Sequence, residues 1–286
     1  MDIVEELDTE TTTQSGAGAD LQIQHHSYLL ELSFDWIIVR TSENIHHLIH
    51  ESHVTLIEEP LGNFVHAQAL HDLRNLFARL SGTTGIGRAY GIRLTDEHEL
   101  VDIAFHLAGG HVLLEAVKSA GSFGESFGTV GGLISGLSNL SGQSLLDGGA
   151  RRMRALTGYD RIRLSCGDKR AESSRVVLAG APCLTNFPII IADANADGIY
   201  VFPRQVEGTS AHQALLCAPD EKERQELSSA GIRALLRLPF VSGSLACEFT
   251  CENQTAREPR FELHAAAELF AQMFAMQLEL DRATNH

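Results

Sequence analysis

Cysteine is absent from the first 165 residues of this 286-residue chain, and basic residues are scarce, with 22 Lys and Arg against 37 Asp and Glu. The net charge of −15 opposes nucleic-acid phosphates and anionic lipid surfaces. The local run Arg151, Arg152, Arg154 has Asp147 and Asp160 close by, and reads as a solvated helix face. No apolar run is long enough to span a bilayer. Residues 1–20 are acidic and rich in Thr and Gly, without the basic start and apolar stretch of a secretory signal, so a disordered acidic tail and a cytoplasmic protein are expected. The five cysteines, Cys166, Cys183, Cys217, Cys247 and Cys251, are odd in number and confined to the C-terminal half. That pattern predicts reduced thiols and no disulfide framework. The spacing Cys247-x-x-x-Cys251 is not a CxxC redox motif, and no second cysteine pair with flanking histidines completes a zinc site.

Catalytic signatures are missing as well. There is no Gly-x-Ser-x-Gly elbow. Gly82-Thr83-Thr84-Gly85-Ile86-Gly87 lacks the Lys-Ser/Thr of a phosphate loop and follows a helix, so it reads as a turn. The histidines cluster at His25-His26, His46-His47, His50 and His53. His46 and His50 are four apart and could share a metal on a helix, but no carboxylate is placed beside them, so they read as surface histidines. Asp193 and Asp197 follow a buried-strand candidate and could bind a cation or act as acid and base; Asp-rich turns after strands are common. No nucleophile–base or metal constellation emerges, so the chain is read as not an enzyme, with no catalytic, cofactor-binding or metal residues assigned.

What is present is material for cores: 44% hydrophobic residues in a length that suits two domains. Residues 21–118 form one block. Tyr28–Leu32 and Trp36–Val39 predict a hairpin. Leu70, Leu73, Phe77 and Leu80 give Phe64–Leu80 a helical period, which Gly82 would stop. Val101, Ile103, Phe105 and Leu107 alternate with Asp102, Ala104 and His106, predicting a strand with one buried face. Gly109-Gly110 turns it back into His111–Val117. Residues 119–126 read as a linker. In the second block, residues 127–286, a helix is predicted over Leu145–Leu156, ending at Thr157-Gly158. Strands are predicted at Arg161–Leu164, Arg175–Leu178 and Phe187–Ala192, a helix at Glu221–Ala230, and an antiparallel pair at Arg233–Phe240 and Ser244–Phe249. A last helix runs from after Pro259 to about Arg282. The class expected is α+β, two domains, each an antiparallel sheet flanked by helices.

The last helix carries a heptad-like seam: Ala266, Leu269, Met273, Met276 and Leu280 are spaced 3, 4, 3 and 4. Phe270 and Phe274 widen the apolar face. The face suits packing on its own domain and also a dimer or partner interface, with Ala266, Leu269, Phe270, Met273, Met276 and Leu280 as the candidate interface residues.

Several segments, in collinear order over residues 21–282, resemble the photosensory core of bacterial phytochromes, a PAS domain followed by a GAF domain. Ile23-Gln24-His25-His26-Ser27-Tyr28-Leu29-Leu30 is similar to the family's Ile-Gln-Pro-His-Gly-x-Leu-Leu, and Thr41-Ser42-Glu43-Asn44 to its Ser-Glu-Asn segment. Residues Ala150 to Arg161 resemble the first GAF helix and strand, and Ile191-Ala192-Asp193 its Ile-Ala-Asp strand end. Ala230-Gly231-Ile232-Arg233-Ala234 resembles Met-Gly-Val-Arg-Ala, Leu245-Ala246-Cys247 resembles Leu-x-Ala-Cys, and Glu262–Met273 resembles the last GAF helix. The resemblance implies a PAS-like domain over 21–118 and a GAF-like domain over 127–286.

It also implies a bilin held through a cysteine thioether, and there the chain departs from the family. Residues 1–22 hold no cysteine. The GAF helix region reads Pro219 to Gln225, with neither cysteine nor histidine, and Cys217 sits before that helix. The Pro-x-Ser-Asp-Ile-Pro motif is missing between Leu178 and Phe187, where Ala179 to Asn186 stand. The histidines after Ala-Cys become Glu248 and Phe249. A bilin's buried nitrogens and propionates need paired partners, and an acid at 248 opposes propionates. No kinase-like or cyclase-like block follows residue 282. The expectation is therefore a phytochrome-like regulator without photochemistry and without cofactor, acting in signal transduction on a protein partner such as a signalling kinase or related sensor. It could form a homodimer. A bilin- or other small-ligand-binding sensor is the alternative.

Overall fold

The protein is seen in a computed structural model that describes residues 20–80, 85–96, 99–121, 124–167, 169–174, 188–204 and 213–284. The tail read over 1–20 therefore lies outside the described residues except for Asp20, as do the helix stop at Gly82, the strand at Arg175–Leu178 and the segment Ala179 to Asn186.

The chain starts with β1 (Gln22–Gln24), β2 (Ser27–Leu32) and β3 (Ile38–Ser42), then two single-turn helices, α1 (His46–Ile49) and α2 (His53–Leu56). The amphipathic α3 (Ala67–Leu80) follows, then β4 (Gly87–Ile92), β5 (Val101–Ala108) and β6 (His111–Lys118). Both glycines of the β5–β6 turn have positive φ, 53° at Gly109 and 85° at Gly110, the conformation that lets a two-residue turn follow the strand twist. The second half contains α4 (Glu125–Ser135), α5 (Gly142–Thr157), β7 (Arg161–Cys166), β8 (Lys169–Ser174), β9 (Ile189–Ile191) and β10 (Gly198–Phe202). It closes with α6 (Glu221–Ser229), β11 (Ala234–Ser242), β12 (Leu245–Asn253) and the 24-residue α7 (Phe261–Thr284).

The fold is α+β, with two sheets whose described pairings are antiparallel. One has the order β1-β10-β3-β2-β6-β5-β4 and the other β8-β7-β12-β11-β9. The first sheet packs Leu30, Leu32, Ile103, Phe105, Val112 and Leu114 against the short helices and α3. The alternation in β5 predicts one buried face, and the structure corrects this: both faces are covered. Ile103 and Phe105 belong to the core under α3, while Ala104, 0% exposed, belongs to the core of the second domain. In the second sheet, Ile162, Leu164, Leu236, Leu238 and Phe249 point to one face, where α5 and α7 cover them. There Phe249 and Phe274 lie with ring centroids 5.4 Å apart.

β10 is one of the elements that periodicity did not reveal. It leaves the second domain and joins the first sheet, pairing with β1 (Ile23 opposite Ile199) and β3 (Phe202 opposite Thr41). The returning limb reaches the other edge of β1, where Ile23 bridges Cys217, Gln24 N–H donates to Leu216 O and Ala218 N–H donates to Gln22 O. The first strand is thus held between two limbs of one excursion from the second domain.

The thiol expectation is also corrected. Cys166 and Cys247 face each other across β7 and β12, Cα atoms 4.1 Å apart, and form a disulfide. Counting cysteines reveals parity, whereas pairing depends on strand register. Cys217 and Cys251 take no part in this disulfide.

Candidate functional site

Two-residue alternation in the second sheet leaves a face opposite the helices, and that face is charged. From β12 it carries Glu248, Thr250 and Glu252, with Glu248 and Glu252 fully buried. In register beside them, Ser165 stands opposite Glu248, Arg163 opposite Thr250 and Arg161 opposite Glu252 on β7; Arg237 stands opposite Thr250 on β11. Arg161 Nε lies 3.3 Å from Glu172 and 3.5 Å from Glu252, and Arg163 donates to Glu252. Thr250 Oγ1 donates to Glu248 at 2.7 Å. Burial pushes the Glu252 carboxyl up and the Arg163 guanidinium down, while each charge pulls the other back. The pairing offsets a desolvation cost that neither group could bear alone. Toward β9 the same face turns apolar, where Ile191 and Leu235 pack with Leu227 of α6.

A second group of residues ties the domains together. The Gln24 side chain donates to Ile190 O (2.5 Å) and Cys217 O (3.1 Å) and accepts from Ala192 N–H (2.6 Å). Glu115 on β6 is fully buried, and its two oxygens accept the N–H groups of Leu215 (2.7 Å) and Leu216 (2.8 Å). Burial raises its carboxyl to about 7, against the opposing pull of those bonds and of Arg88. Arg88 on β4 bridges to Glu268 on α7. His106 meets Gln213 O at 3.0 Å; burial lowers its pKa, which favours the neutral ring with the proton on Nε2.

The seam on α7 is divided by the fold. Ala266 and Phe270 are 0% exposed inside their own domain, so they are not available to a partner. Met273 is half-buried, while Leu269, Met276 and Leu280 are 39%, 66% and 60% exposed. The remaining outward row, Leu269, Met273, Met276 and Leu280, keeps a spacing of 4, 3 and 4.

The other candidates have structural roles. His46 lies in α1 and His50 caps it, and no group of three or more potential metal ligands occurs among the described residues. Asp193 is held by Arg233 through two hydrogen bonds of 2.9 and 2.6 Å, chiefly because of which its carboxyl sits below the usual range. Cys217 is half-buried against β1, and burial pushes its thiol up to about 12. Sequence reasoning picked out Glu248 but took Arg161 and Arg163 only as strand residues; the Arg-x-Arg spacing of two, which puts both on one face of a strand, was the available signal.

The fold is that of the chromophore-binding domains of bacteriophytochromes. The chain is similar to that domain of the bacteriophytochrome RpBphP3 from R. palustris, with 21% identity and TM-score 0.74, covering 92% of this chain and 96% of that one. It is similar to the chromophore-binding domain of Stigmatella aurantiaca phytochrome P1 at 21% identity and TM-score 0.72, covering 92% and 98%. Against the S. aurantiaca photosensory core module the figures are 20% and 0.73, covering 92% of this chain and 58% of that one. No family model and no curated protein matches the sequence. Among the described residues, no helix is long and apolar enough to cross a membrane.

The described residues of this charged face do not match the partners a bilin needs. Glu248 and Phe249, which the resemblance aligns with paired histidines, point to opposite faces of the sheet: Glu248 to the charged face, Phe249 into the aromatic core. None of the five strands carries a histidine. Arg161 and Arg163 are engaged by Glu172 and Glu252, so their charge is already matched.

Proposed function

We propose that this chain is a sensory-type PAS–GAF module that has exchanged pigment binding for an internal ion-pair network and acts in signal transduction by contact with a protein partner. One observation carries the reading: the second face of the GAF sheet matches its buried guanidinium groups with its own carboxylates and holds Glu248 where a propionate would need a donor. In this reading the chain has no reaction of its own and no resident cofactor. Its signalling surface is the outward row of α7, and the partner is a second copy of the chain, a signalling kinase or a related sensor.

Light scattering on the purified chain, with and without Leu269→Ser, Met276→Ser and Leu280→Ser combined, tests the contact half. A dimer that the triple variant dissociates supports it. A wild-type protein that stays monomeric and binds no candidate kinase with an affinity sensitive to those three changes contradicts it.

A second reading rests on Ser165 Oγ and Arg161 Nη1, buried atoms without a hydrogen-bond partner, which favour a small polar ligand on the charged face. A ligand that raises the melting temperature of the wild type, but not of Ser165→Ala, would favour it.

A further inference from the structure

The disulfide occupies a place that neither pigment binding nor partner contact explains. Cys166 and Cys247 close one end of the β7–β12 ladder, with Gly167 N–H donating to Ala246 O beyond them. Both side chains point into the helix-covered core, 3% and 1% exposed. Cys166 lines a shallow surface depression of about 20 Å³, together with Leu146, Leu245, Leu278, Lys169, Asp281 and Arg282; Cys247 does not line it. Cys166 therefore borders a depression that opens to solvent, where Lys169, Arg282 and the Asp281 carboxylate stand.

The last two turns of α7 dock beside this bond. Arg282 donates to Ser242 O (2.9 Å) and Ser242 Oγ (3.1 Å), and Ser242 Oγ donates to Ala275 O (3.1 Å). Gly243 N–H donates to Glu279 (2.6 Å), and Gly142 N–H donates to Asp281 (3.0 Å). Leu278 packs in the same core as both cysteines. Three of these contacts reach backbone at the tips of neighbouring elements and two run through the Ser242 hydroxyl, so the docking depends on how the end of the sheet sits.

We propose that Cys166–Cys247 is a thiol–disulfide exchange site for low-molecular-weight thiols, entered on the Cys166 side, and that its oxidation state sets how firmly the C-terminal end of α7 docks on the β11–β12 turn. A small thiolate attacks Cys166 Sγ. The S–S bond breaks, and Cys247 leaves as a thiolate and takes up a proton. A second thiolate attacks the small molecule's sulfur in the mixed disulfide, releasing Cys166, which is also protonated. Two small thiols together lose two electrons and become one disulfide; the protein pair gains those electrons and two protons. Lys169 and Arg282 favour approach of the anionic nucleophile, against the opposing charge of Asp281. Cys251 is no competitor, because burial pushes its thiol far above the ordinary range and keeps it protonated.

Once reduced, two separate thiols must fit where one bond stood, in a core already packed by Leu146 and Leu278. Leu278 lies on α7, so the strain is relieved by loosening that helix.

The test uses the full chain purified without reductant, incubated with or without millimolar reduced glutathione. Cysteine alkylation with peptide mapping is read together with hydrogen exchange over residues 275–284. The expected result is a linked Cys166–Cys247 peptide before glutathione and two alkylated cysteines after it. Exchange in 275–284 should rise several-fold on reduction, unchanged in α3, and reverse with oxidised glutathione. Cys166→Ser and Cys247→Ser should show the faster exchange in either condition; if they fail to fold, the wild-type comparison decides. Both cysteines alkylated before any thiol is added, a bond that survives glutathione, or equal exchange in the two states would each overturn the proposal.

Discussion

The Gln24 carboxamide donates to the carbonyl of Ile190, 166 residues away in the chain, at 2.5 Å. The same group accepts from Ala192 N–H and donates to Cys217 O, so one side chain of the first strand satisfies three backbone groups of the second domain. A glutamate could not donate there, and an aliphatic residue would leave all three groups without this partner.

Gln24→Leu is accordingly expected to destabilise the protein by about 2–4 kcal/mol, since each buried backbone group left unmade costs roughly 1–3 kcal/mol. Urea unfolding reads it as a fall in midpoint at unchanged slope. A change below about 0.5 kcal/mol would mean that the strand is not held by this residue.

Glu115 makes stability depend on pH. Its carboxyl is raised from 4.5 to about 7 in the folded chain, chiefly by burial, so the folded state binds the proton more tightly than the unfolded state. The stabilisation from this group is complete below pH 4.5 and is lost as the pH rises through about 7, a span worth about 3 kcal/mol. Glu115→Gln should be less stable than wild type at pH 5, having lost one of two acceptors. The difference between the two proteins should shrink between pH 5 and pH 8. Parallel pH profiles would contradict this.

The ion pairs differ in weight according to burial. Glu252→Ala leaves Arg161 and Arg163 buried without their shared carboxylate, an expected loss of about 3–5 kcal/mol. Glu172 is about half exposed (48%), so Glu172→Ala should cost under about 1 kcal/mol. Equal losses measured by chemical denaturation would show that the face is not dry.

Gly149 lies where α5 meets α7: a Cβ built there comes 2.5 Å from Phe274 Cε2. Gly149→Ala gains helix propensity worth up to about 1 kcal/mol, but overpacks a sealed aromatic core at about 1–3 kcal/mol. Net destabilisation in thermal unfolding is expected. A stabilised variant would show that the Phe274 ring can move aside.

Local patterning made much of the fold legible. The β5–β6 hairpin, α3, α5 and α7 each follow from a period of two or near 3.6 with a glycine or proline boundary. β9 was legible as the apolar run within Phe187–Ala192, whereas the three-residue β1 and the single-turn helices α1 and α2 are too short to establish a period. β10 was invisible for another reason: Gly198–Phe202 follows the Asp193 turn of one domain yet pairs with the sheet of the other, and nothing in five residues encodes that partner. The site divides the same way. Glu248 stood out as a departure from a motif. Its setting beside Arg161, Arg163 and Glu252 depends on the β7–β12 register, which also joins Cys166 to Cys247.

The most direct test of the account is the absorption spectrum of the chain coexpressed with a biliverdin source and purified, recorded before and after red and far-red illumination. The account predicts colourless protein with no light-induced difference. Coloured protein that switches reversibly between two absorbing forms would contradict it.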